Sequence, residues 1–444
     1  MPSLKNQFQT QLKKITDRPG LNKILQNTGW LFADRVLRMG LAFVVTIWLA
    51  RYLGPEQFGL LNFAMAFVAL FGAIATVGLN SVVVRDLVKF PEKTSSILST
   101  SISLQILGGL ITFSLIVLAI HFLKPEDALA RAIAIILGLS MVVKFSETIK
   151  YWYESQVQSK FVVWAESAVL VLFAAIKILL ILQQAPLISF AWAIFAETVV
   201  LAIALIILYS IQSKTSKIWQ PQLCQAKTLL RESWPLILSG LSVMVYMRID
   251  QVMLGQMLNN EAVGIYSAAV KISEMWYFVP IAIVASVYPA IISSKEKSES
   301  LYQQRMQNLY DLMVYISVFV ALIVTFSADW IVISLFGDAY SESGFVLAVH
   351  IWIGLFVSLG VASSKWFLLE NLSKLIFYRT LYGALLNVLL NLVLIPSFGI
   401  KGCLIATLIS YSFAALWFDA FAKKTRKAFV MKIRALIFRS LYAA

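Results

Sequence analysis

Long runs of apolar residues, separated by short polar stretches, dominate this chain. A helix needs about 20 mostly apolar residues to cross a membrane, and twelve runs of this kind can be counted. We number them spans one to twelve; the fourth is short, and we expect it to continue to Tyr151. They cover residues 30–50, 60–79, 97–120, 132–143, 161–182, 187–211, 234–254, 263–292, 310–335, 345–364, 377–395 and 403–421.

The composition agrees with a membrane location for these runs. Of the 444 residues, 60% are hydrophobic and 14% are charged, whereas about 25% of the residues of a typical soluble protein are charged. A soluble protein of this composition could not cover its surface with polar groups. The sequence therefore predicts an all-α integral membrane protein with twelve transmembrane helices.

The basic residues between the spans alternate from loop to loop. If the N-terminus is cytoplasmic, 28 of the 37 lysines and arginines fall in cytoplasmic segments and four in outer loops. This count takes Arg379, at the start of span eleven, as a cytoplasmic residue. Cytoplasmic loops carry an excess of Lys and Arg, so we expect both termini in the cytoplasm. The net charge of +14 then belongs to these loops, and nucleic acid is not an expected partner.

Two short matches indicate an internal duplication. The link after span one, residues 53–59, and the link after span seven, residues 258–264, share Leu, Glu and Gly at equal positions. Residues 152–160 and 366–374 share an aromatic pair followed by Ser-Lys. Because each half has an even number of spans, the halves would run parallel, as in transporters whose two lobes rock around a central site.

The duplication divides the chain into five predicted segments. Two six-helix lobes form the body of the protein, and the flanking segments are cytoplasmic. The tail mixes basic and apolar residues as surface-lying amphipathic helices do, and we expect it on the inner leaflet. The segments are a basic N-terminal stretch (1–28), the first lobe (29–211), a connecting loop (212–232), the second lobe (233–422) and the tail (423–444).

Ten charged residues fall within the spans. Each would cost about 2.5–3.5 kcal/mol at the centre of the bilayer if it faced lipid, so they must face one another or a water-filled cavity. Asp34 and Arg38 stand four residues apart and are expected to share a helix face. Lys271 and Glu274, three apart, are expected to do the same. Three cations have no such neighbour and need a partner on another helix or an anionic ligand. They are Arg35, Arg248 and Lys177.

These charges allow two interpretations. They could form structural salt bridges between helices, or they could line a substrate cavity between the lobes. Their clustering in spans one and five to eight favours the cavity. Arginine and lysine bind phosphate well, so the candidate substrate-binding residues are Arg35, Arg38, Arg248, Lys177 and Lys271. Buried carboxylates can carry a proton or a sodium ion, so the candidate coupling-ion residues are Asp34, Glu166, Glu197, Asp250 and Glu274.

Motifs for catalysis are missing from the sequence. Its two cysteines lie far apart and it has two histidines, too few for a disulfide framework or a Cys/His metal site. It contains no phosphate-binding glycine loop, nucleophile elbow or zinc-protease motif. We therefore expect a protein that is not an enzyme and that uses no cofactor or metal.

Several stretches resemble a known family. The link Ala-Arg-Tyr-Leu-Gly-Pro-Glu at residues 50–56 is the most specific of them, and residues 248–254, 264–266 and 335–340 also match. They resemble the bacterial polysaccharide-biosynthesis flippases, which translocate O-antigen or other lipid-linked oligosaccharides. That family belongs to the multidrug/oligosaccharidyl-lipid/polysaccharide exporter superfamily, whose fold is the one seen in MATE transporters.

The resemblance implies a function in polysaccharide biosynthesis. Such a protein moves a polyprenyl-pyrophosphate-linked oligosaccharide from the cytoplasmic to the outer leaflet of the plasma (inner) membrane by alternating access. The two lobes would enclose a V-shaped cavity, and spans one, two, seven and eight would border its opening to lipid. The coupling ion would be H⁺ or Na⁺, and polysaccharide polymerases or glycosyltransferases would be possible partners.

Two alternatives remain at this stage. One is an ion-coupled multidrug or cation antiporter of the same fold, which would favour an acidic cavity. The ten charges within the spans are evenly divided by sign, and span one is net positive, which favours an anionic cargo. The other is a membrane enzyme that joins lipid-linked sugars, but the outer loops are short and gather no set of acid, base and cation.

Overall fold

The computed structural model describes residues 36–213 and 220–438 in full, together with the helical backbone of residues 19–35. Every regular element in these ranges is a helix, so the predicted all-α fold is confirmed. The side chains of Asp34 and Arg35 lie outside the described residues. So do most of the predicted N-terminal stretch, the centre of the connecting loop and the end of the tail.

The helices follow the predicted spans closely. The fourth continues past Tyr151 as expected, through a short 3₁₀ turn. In the N-terminal half the helices are α1 (Pro19–Leu70), α2 (Gly72–Ala75), α3 (Asn80–Lys89), α4 (Thr94–Leu123), α5 (Ala128–Val143), α6 (Glu147–Ser155), α7 (Lys160–Leu182) and α8 (Leu187–Gln212). In the C-terminal half they are α9 (Leu223–Met257), α10 (Asn260–Met275), α11 (Phe278–Lys297), α12 (Glu299–Phe336), α13 (Ser343–His350), α14 (Ile353–Leu369), α15 (Ser373–Ser412), α16 (Phe418–Phe421) and α17 (Arg426–Leu436).

Helix α1 contains a sharp break and forms two spans. Gly54 has φ 70°, a left-handed value that suits glycine. Ala42 and Met65 line the same cavity, although residues 23 apart would be about 35 Å apart on a straight helix. The chain therefore reverses near Gly54.

Helix α15 reverses in the same way at Gly399, where φ is 58°. Beyond the break, Gly402 lies against the backbone of Leu394. Ten helical segments in the described ranges are long and apolar enough to cross a membrane. With each hairpin counted as two, they accommodate the twelve predicted spans.

The internal duplication is visible in two matching helix ends. After α6 the chain turns at Val157 (φ 55°), and after α14 it turns at Asn371 (φ 57°). The amide of Gln158 donates to the Tyr153 carbonyl at 2.9 Å, and the amide of Leu372 donates to the Phe367 carbonyl at 2.7 Å. This is the bond that closes a Schellman helix end. The sequence match at residues 152–160 and 366–374 therefore corresponds to one backbone structure used twice.

The two matched glycines of the other repeat lie against each other. A Cβ atom built on Gly59 would overlap the carbonyl oxygen of Asn260, and one built on Gly264 would overlap that of Pro55. Pro55 and Asn260 are themselves equivalent positions of the repeat, so the contact is reciprocal. We call this end of the bundle the closed face, and the opposite end, where α17 lies, the tail face.

Side chains reinforce the closed face. Arg51, from the Arg-Tyr-Leu-Gly link, donates to the carbonyls of Ser334 (2.5 Å) and Leu335 (2.7 Å) in the last turn of α12. Lys124 donates to the Gly255 carbonyl at 2.6 Å, in the last turn of α9. The final carbonyls of a helix have no partner within it and attract cations. Two of the four basic residues predicted in outer loops therefore join the two halves.

Small residues also bring spans two and seven together along their length. Beyond Gly59, a Cβ on Gly240 would lie 2.8 Å from that of Ala73, and one on Gly78 would lie 3.0 Å from the Ser233 carbonyl oxygen. Small residues allow such close backbone approach between membrane helices. Near the tail face, Arg85 forms an ion pair with Glu232 across the two halves.

The tail differs from the predicted surface-lying helix. One face of α17 packs against α12, and Ala428, Met431 and Ala435 join a buried apolar cluster there. Lys432 is fully buried and ion-paired with Asp419 at 2.6 Å. Burial lowers the pKa of the Lys432 ammonium to about 8. At least this part of the tail is attached to the protein itself, because a buried ion pair requires both partners in place.

The glycine contact gives a first prediction. Replacing Gly59 or Gly264 with alanine forces two backbones apart, and overpacking of this kind costs about 1–3 kcal/mol. We expect faster hydrogen–deuterium exchange at residues 55–64 and 260–269 in Gly59→Ala and Gly264→Ala. Gly40→Ala is the matched control, because a Cβ there meets nothing within 4 Å. Unchanged exchange in both variants would show that the contact does not hold the closed face together.

Candidate functional site

A cavity lined by charged residues lies between the two halves of the protein. It consists of two adjoining chambers of about 470 and 260 Å³, which share Ala42, Leu170 and Glu197. Spans one, two, five and six form most of the wall, and span eight contributes Lys271. Five of the ten charges predicted within the spans line it: Arg38, Glu166, Lys177, Glu197 and Lys271.

Glu166 links two cations at one end of this cavity. It accepts a hydrogen bond from Arg38 at 2.7 Å and another from Lys150 at 2.7 Å, joining spans one, four and five. The three side chains are each about a quarter exposed (25–26%). The expected local partner of Arg38, Asp34, has no described side chain, and the partner that the structure describes comes from another helix. Lys150, which lies in the continuation of span four, was not among the predicted site residues.

Lys177 and Glu197 form the second ion pair of the cavity. Their charged atoms are 2.6 Å apart, and the pair connects span five to span six. The sequence analysis found no partner for Lys177 on its own helix and expected one elsewhere, which the structure confirms. Because this pair and the Glu166 cluster lie within the N-terminal half, much of the cavity charge there is internally compensated.

Lys271 has no such compensation. The expected pairing with Glu274 is wrong, because Glu274 lies 3.2 Å from Arg248 on span seven. An arginine from a neighbouring helix can reach the carboxylate, and an i,i+3 neighbour adds only about 0.2–0.5 kcal/mol. Among the described residues, no carboxylate lies within 4.0 Å of the Lys271 ammonium, and no hydrogen bond to it is formed. Within the described part of the chain, Lys271 therefore presents to the cavity a positive charge that no carboxylate pairs.

Asp250 lies apart from the cavity, inside the C-terminal half. It is 4% exposed. One carboxylate oxygen accepts a hydrogen bond from Asn391 at 2.7 Å, and the other accepts from Tyr266 at 3.0 Å and Thr407 at 2.8 Å. No cationic side chain lies within 4.0 Å of it in the described ranges.

This cluster is suited to a small cation. It combines the negative charge of Asp250, on span seven, with neutral oxygen atoms from spans eight, eleven and twelve. The Oδ1 atom of Asn391 is buried and has no hydrogen-bond partner, which is costly unless something else satisfies it. Oxygen atoms are the ligands preferred by hard cations. The sequence analysis identified Asp250 but not Asn391 or Thr407; two asparagines four residues apart in span eleven, Asn387 and Asn391, were the available signal.

The predicted site residues thus separate into distinct groups. Arg38, Lys177 and Lys271 share the cavity with Glu166 and Glu197. Arg248 and Glu274 pair with each other at the junction of spans seven and eight and line neither chamber. Asp250 occupies its own buried cluster. For Asp34 and Arg35, the structure describes only the backbone, which belongs to span one.

Comparisons with solved structures agree with this architecture. The chain is similar to an inward-facing multidrug resistance MATE family transporter of the MOP superfamily, with a TM-score of 0.71 and 15% identity over 89% of this chain and 95% of that one. It is also similar to the lipid II flippase MurJ in an inward closed conformation, with a TM-score of 0.67 and 15% identity over 91% of this chain and 90% of that one. At this identity the likeness establishes the fold, and the predicted MATE-like fold is confirmed.

Comparisons of sequence identify the family. A curated relative, the probable low-salt glycan biosynthesis flippase Agl15 of Haloferax volcanii, is 23% identical over 86% of this chain and 80% of its own length. The family model described as polysaccharide biosynthesis protein matches residues 24–295. That match covers more than half of the chain and includes the Arg-Tyr-Leu-Gly link, the cavity and Asp250. The chain belongs to the polysaccharide biosynthesis protein family, as its sequence motifs predicted.

Proposed function

We propose that this multi-pass membrane protein is a flippase that moves a lipid-linked oligosaccharide across the membrane. Family membership, a relative named as a glycan biosynthesis flippase and the fold shared with a lipid II flippase support the proposal. The cavity between the halves supplies a polar route for a sugar chain, while the lipid stays in the bilayer. Transport of this kind forms no new covalent bond, so the protein is not an enzyme.

The observation that carries the proposal is the Lys271 ammonium, which lines the cavity and is paired with no carboxylate among the described residues. A membrane protein retains an uncompensated charge at a cost, and an anionic ligand would offset that cost. The phosphate groups next to the lipid are such a ligand, because an ammonium binds phosphate as a point charge. Arg38 lies in the adjoining chamber. A cationic drug would be repelled by Lys271, so this arrangement favours the flippase over the cation antiporter.

The closed face is the outer face in this proposal. The alternation of basic residues places the link 53–59 outside and the tail inside, with both termini in the cytoplasm. The structure would then correspond to a state closed toward the outside. Rocking of the two halves about the Gly59–Gly264 contact would open the cavity outward, as in transporters built from parallel repeats.

Asp250 is the proposed coupling-ion site. Its carboxylate has neutral partners from three other spans and no cationic neighbour among the described residues, so a sodium ion or a proton would supply the missing positive charge. Spans seven and eight meet at the closed face, and spans eleven and twelve are joined by the hairpin at Gly399. Binding of a cation there would alter how spans seven and eight pack, and these spans carry Lys271 and the Gly264 contact.

Transport in proteoliposomes tests the flippase. Purified protein is reconstituted with a fluorescent polyprenyl-pyrophosphate oligosaccharide, and an impermeant glycan-modifying enzyme reports the fraction in the outer leaflet. We expect Lys271→Gln to slow flipping about ten- to a hundredfold, since a charge-assisted hydrogen bond contributes about 1.5–3 kcal/mol and 1.4 kcal/mol is about tenfold. Lys271→Arg should keep most of the activity.

The control for this experiment is Lys374→Gln. Lys374 is an exposed lysine at the start of α15 in the same half, and its loss changes the net charge equally. Wild-type protein that leaves the probe in its original leaflet would refute the flippase. Equal rates in Lys271→Gln and Lys374→Gln would refute the role of Lys271 while leaving the flippase standing.

The ion site gives a separate prediction. A bound ligand at a hundred times its Kd stabilises a protein by about 2.7 kcal/mol, so Na⁺ should raise the thermal stability of wild-type protein at fixed pH. We expect Asp250→Asn to lose this response and to flip at one rate with or without an ion gradient. Asp338→Asn, an exposed aspartate of a short 3₁₀ turn, is the control.

Two other outcomes are informative for Asp250. Stimulation of wild-type flipping by a pH gradient and not by Na⁺ would identify the proton as the coupling ion. An Asp250→Asn variant that keeps the full gradient response would exclude Asp250 as the coupling site.

A further inference from the structure

A second cavity, mostly apolar with a few polar residues in its wall, lies inside the C-terminal half, away from the chambers described above. Its volume is about 230 Å³, and spans seven, eight, ten, eleven and twelve form its wall. An apolar cavity of about 150 Å³ accommodates benzene, so this one is large enough for a single six-membered ring with substituents. Its polar wall residues are Tyr246, Tyr277, Ser364, Arg379, Thr380 and Tyr411.

Arg379 is the unusual member of this wall. It is 7% exposed, although the loop-charge count had placed it in the cytoplasm. Its guanidinium donates to Ser363 at 2.7 Å, to Ser364 at 2.7 Å and to the Gly360 carbonyl at 2.9 Å. All three acceptors are neutral. An arginine has five N–H groups, so two remain after these bonds.

No carboxylate compensates the charge of Arg379. None lies within 4.0 Å of it among the described residues. The buried carboxylate nearest in the fold, on Asp419, is instead ion-paired with Lys432 at 2.6 Å. A buried cation without a counter-charge is costly. An anionic ligand in the cavity would relieve that cost.

The opposite wall is aromatic. Tyr246 and Tyr411 are stacked, with ring centroids 4.1 Å apart and an angle of 21° between the planes. Tyr246 and Tyr277 both line the cavity, and their hydroxyls make no hydrogen bond to any described residue. Aromatic faces with free hydroxyls suit a ligand that has both an apolar ring face and several hydroxyl groups.

Two of the spans that line the cavity, eight and twelve, have an irregular helix beside it. Span twelve passes through a π-helical turn, Phe413–Trp417, and two of its residues, Ala414 and Ala415, line the cavity. Such turns are rare and frequently occur at functional sites. Span eight is also interrupted beside the cavity, because α10 ends at Met275 and α11 begins at Phe278.

We propose that this cavity binds one sugar unit that bears a carboxylate, with Arg379 holding the carboxylate and the tyrosines holding the ring. The proposal rests on the proposed function, since the sugar would belong to the lipid-linked cargo. The site would select cargo with an acidic sugar, such as a hexuronate. The phosphate-binding role of Lys271 is separate, because Lys271 lines a different cavity.

Binding of free sugars to the purified full-length protein tests the site directly. Thermal unfolding is followed with D-glucuronate, D-glucose and inorganic phosphate at equal ionic strength. We expect glucuronate to stabilise the wild type at concentrations at least tenfold lower than glucose. Arg379→Gln should lose this preference. Arg305→Gln is the matched control, because Arg305 also donates to a backbone carbonyl, that of Ala290, but lies outside the cavity.

A second variant covers the case in which Arg379→Gln fails to fold. Tyr277→Phe removes a hydroxyl that makes no bond in the protein, so the fold should be retained. We expect it to weaken glucuronate binding about three- to tenfold. Equal stabilisation by glucose and glucuronate, or an unchanged response in Arg379→Gln and Tyr277→Phe, would overturn the proposal. Phosphate acting as strongly as glucuronate through Arg379 would show an anion site and overturn the sugar assignment.

Flipping assays separate this inference from the proposed function. Two lipid-linked oligosaccharides are compared that differ in one uronate or its neutral analogue. Arg379→Gln should lose the preference for the acidic cargo, whereas Arg305→Gln should keep the wild-type ratio of the two flipping rates. If the wild type flips neither cargo, the flippase proposal fails, while the binding experiment still decides on the acidic-sugar site.

Discussion

The reciprocal contact between Gly59 and Gly264 is the constraint on which the arrangement of the two halves depends. Each glycine leaves room for a carbonyl of the other half, from Asn260 or from Pro55. A single methyl group on either side would separate the backbones. The contact also explains the specificity of the Arg-Tyr-Leu-Gly link, in which Gly54 permits the chain reversal and Arg51 bonds the opposite half. The Arg-Tyr-Leu-Gly link therefore acts as a structural joint between the two halves.

The arrangement of the ion pairs allows the two halves to move about the Gly59–Gly264 contact. Arg38 and Lys150 with Glu166, and Lys177 with Glu197, lie in the N-terminal half. Arg248 with Glu274, and Lys432 with Asp419, lie in the C-terminal half. Of the pairs described above, Arg85–Glu232 alone crosses between halves, and its side chains are 44% and 40% exposed, where an ion pair contributes little. The halves could therefore separate on the tail face without leaving a buried charge unpaired.

The spans were predicted well from the sequence because few backbone structures can satisfy their hydrogen bonds in a lipid bilayer. Each span must be a helix whose backbone groups bond internally, so apolar runs alone locate it. The partners of the charges were harder to predict. Glu274 stands one turn from Lys271 yet bonds Arg248, because antiparallel packing of spans seven and eight brings that guanidinium closer. Arg379 was assigned to a loop because it lies near a helix end, and only the packing of span ten around it shows that it is buried.

The two halves of the duplication share a helical scaffold but differ in how their charged residues are paired. The described charges within the spans of the N-terminal half are largely compensated by its own side chains. In the C-terminal half, Lys271, Asp250 and Arg379 have no oppositely charged partner within 4.0 Å among the described residues. Each uncompensated charge disfavours the empty protein and favours whatever ligand supplies the opposite charge. A ligand shifts a conformational equilibrium only through unequal affinity for the two states. Three such charges lie on one half, so a phosphate, a cation and an acidic sugar could each shift the equilibrium between the two states through a different residue. Coupling among these ligands would follow from the helices that their binding residues share.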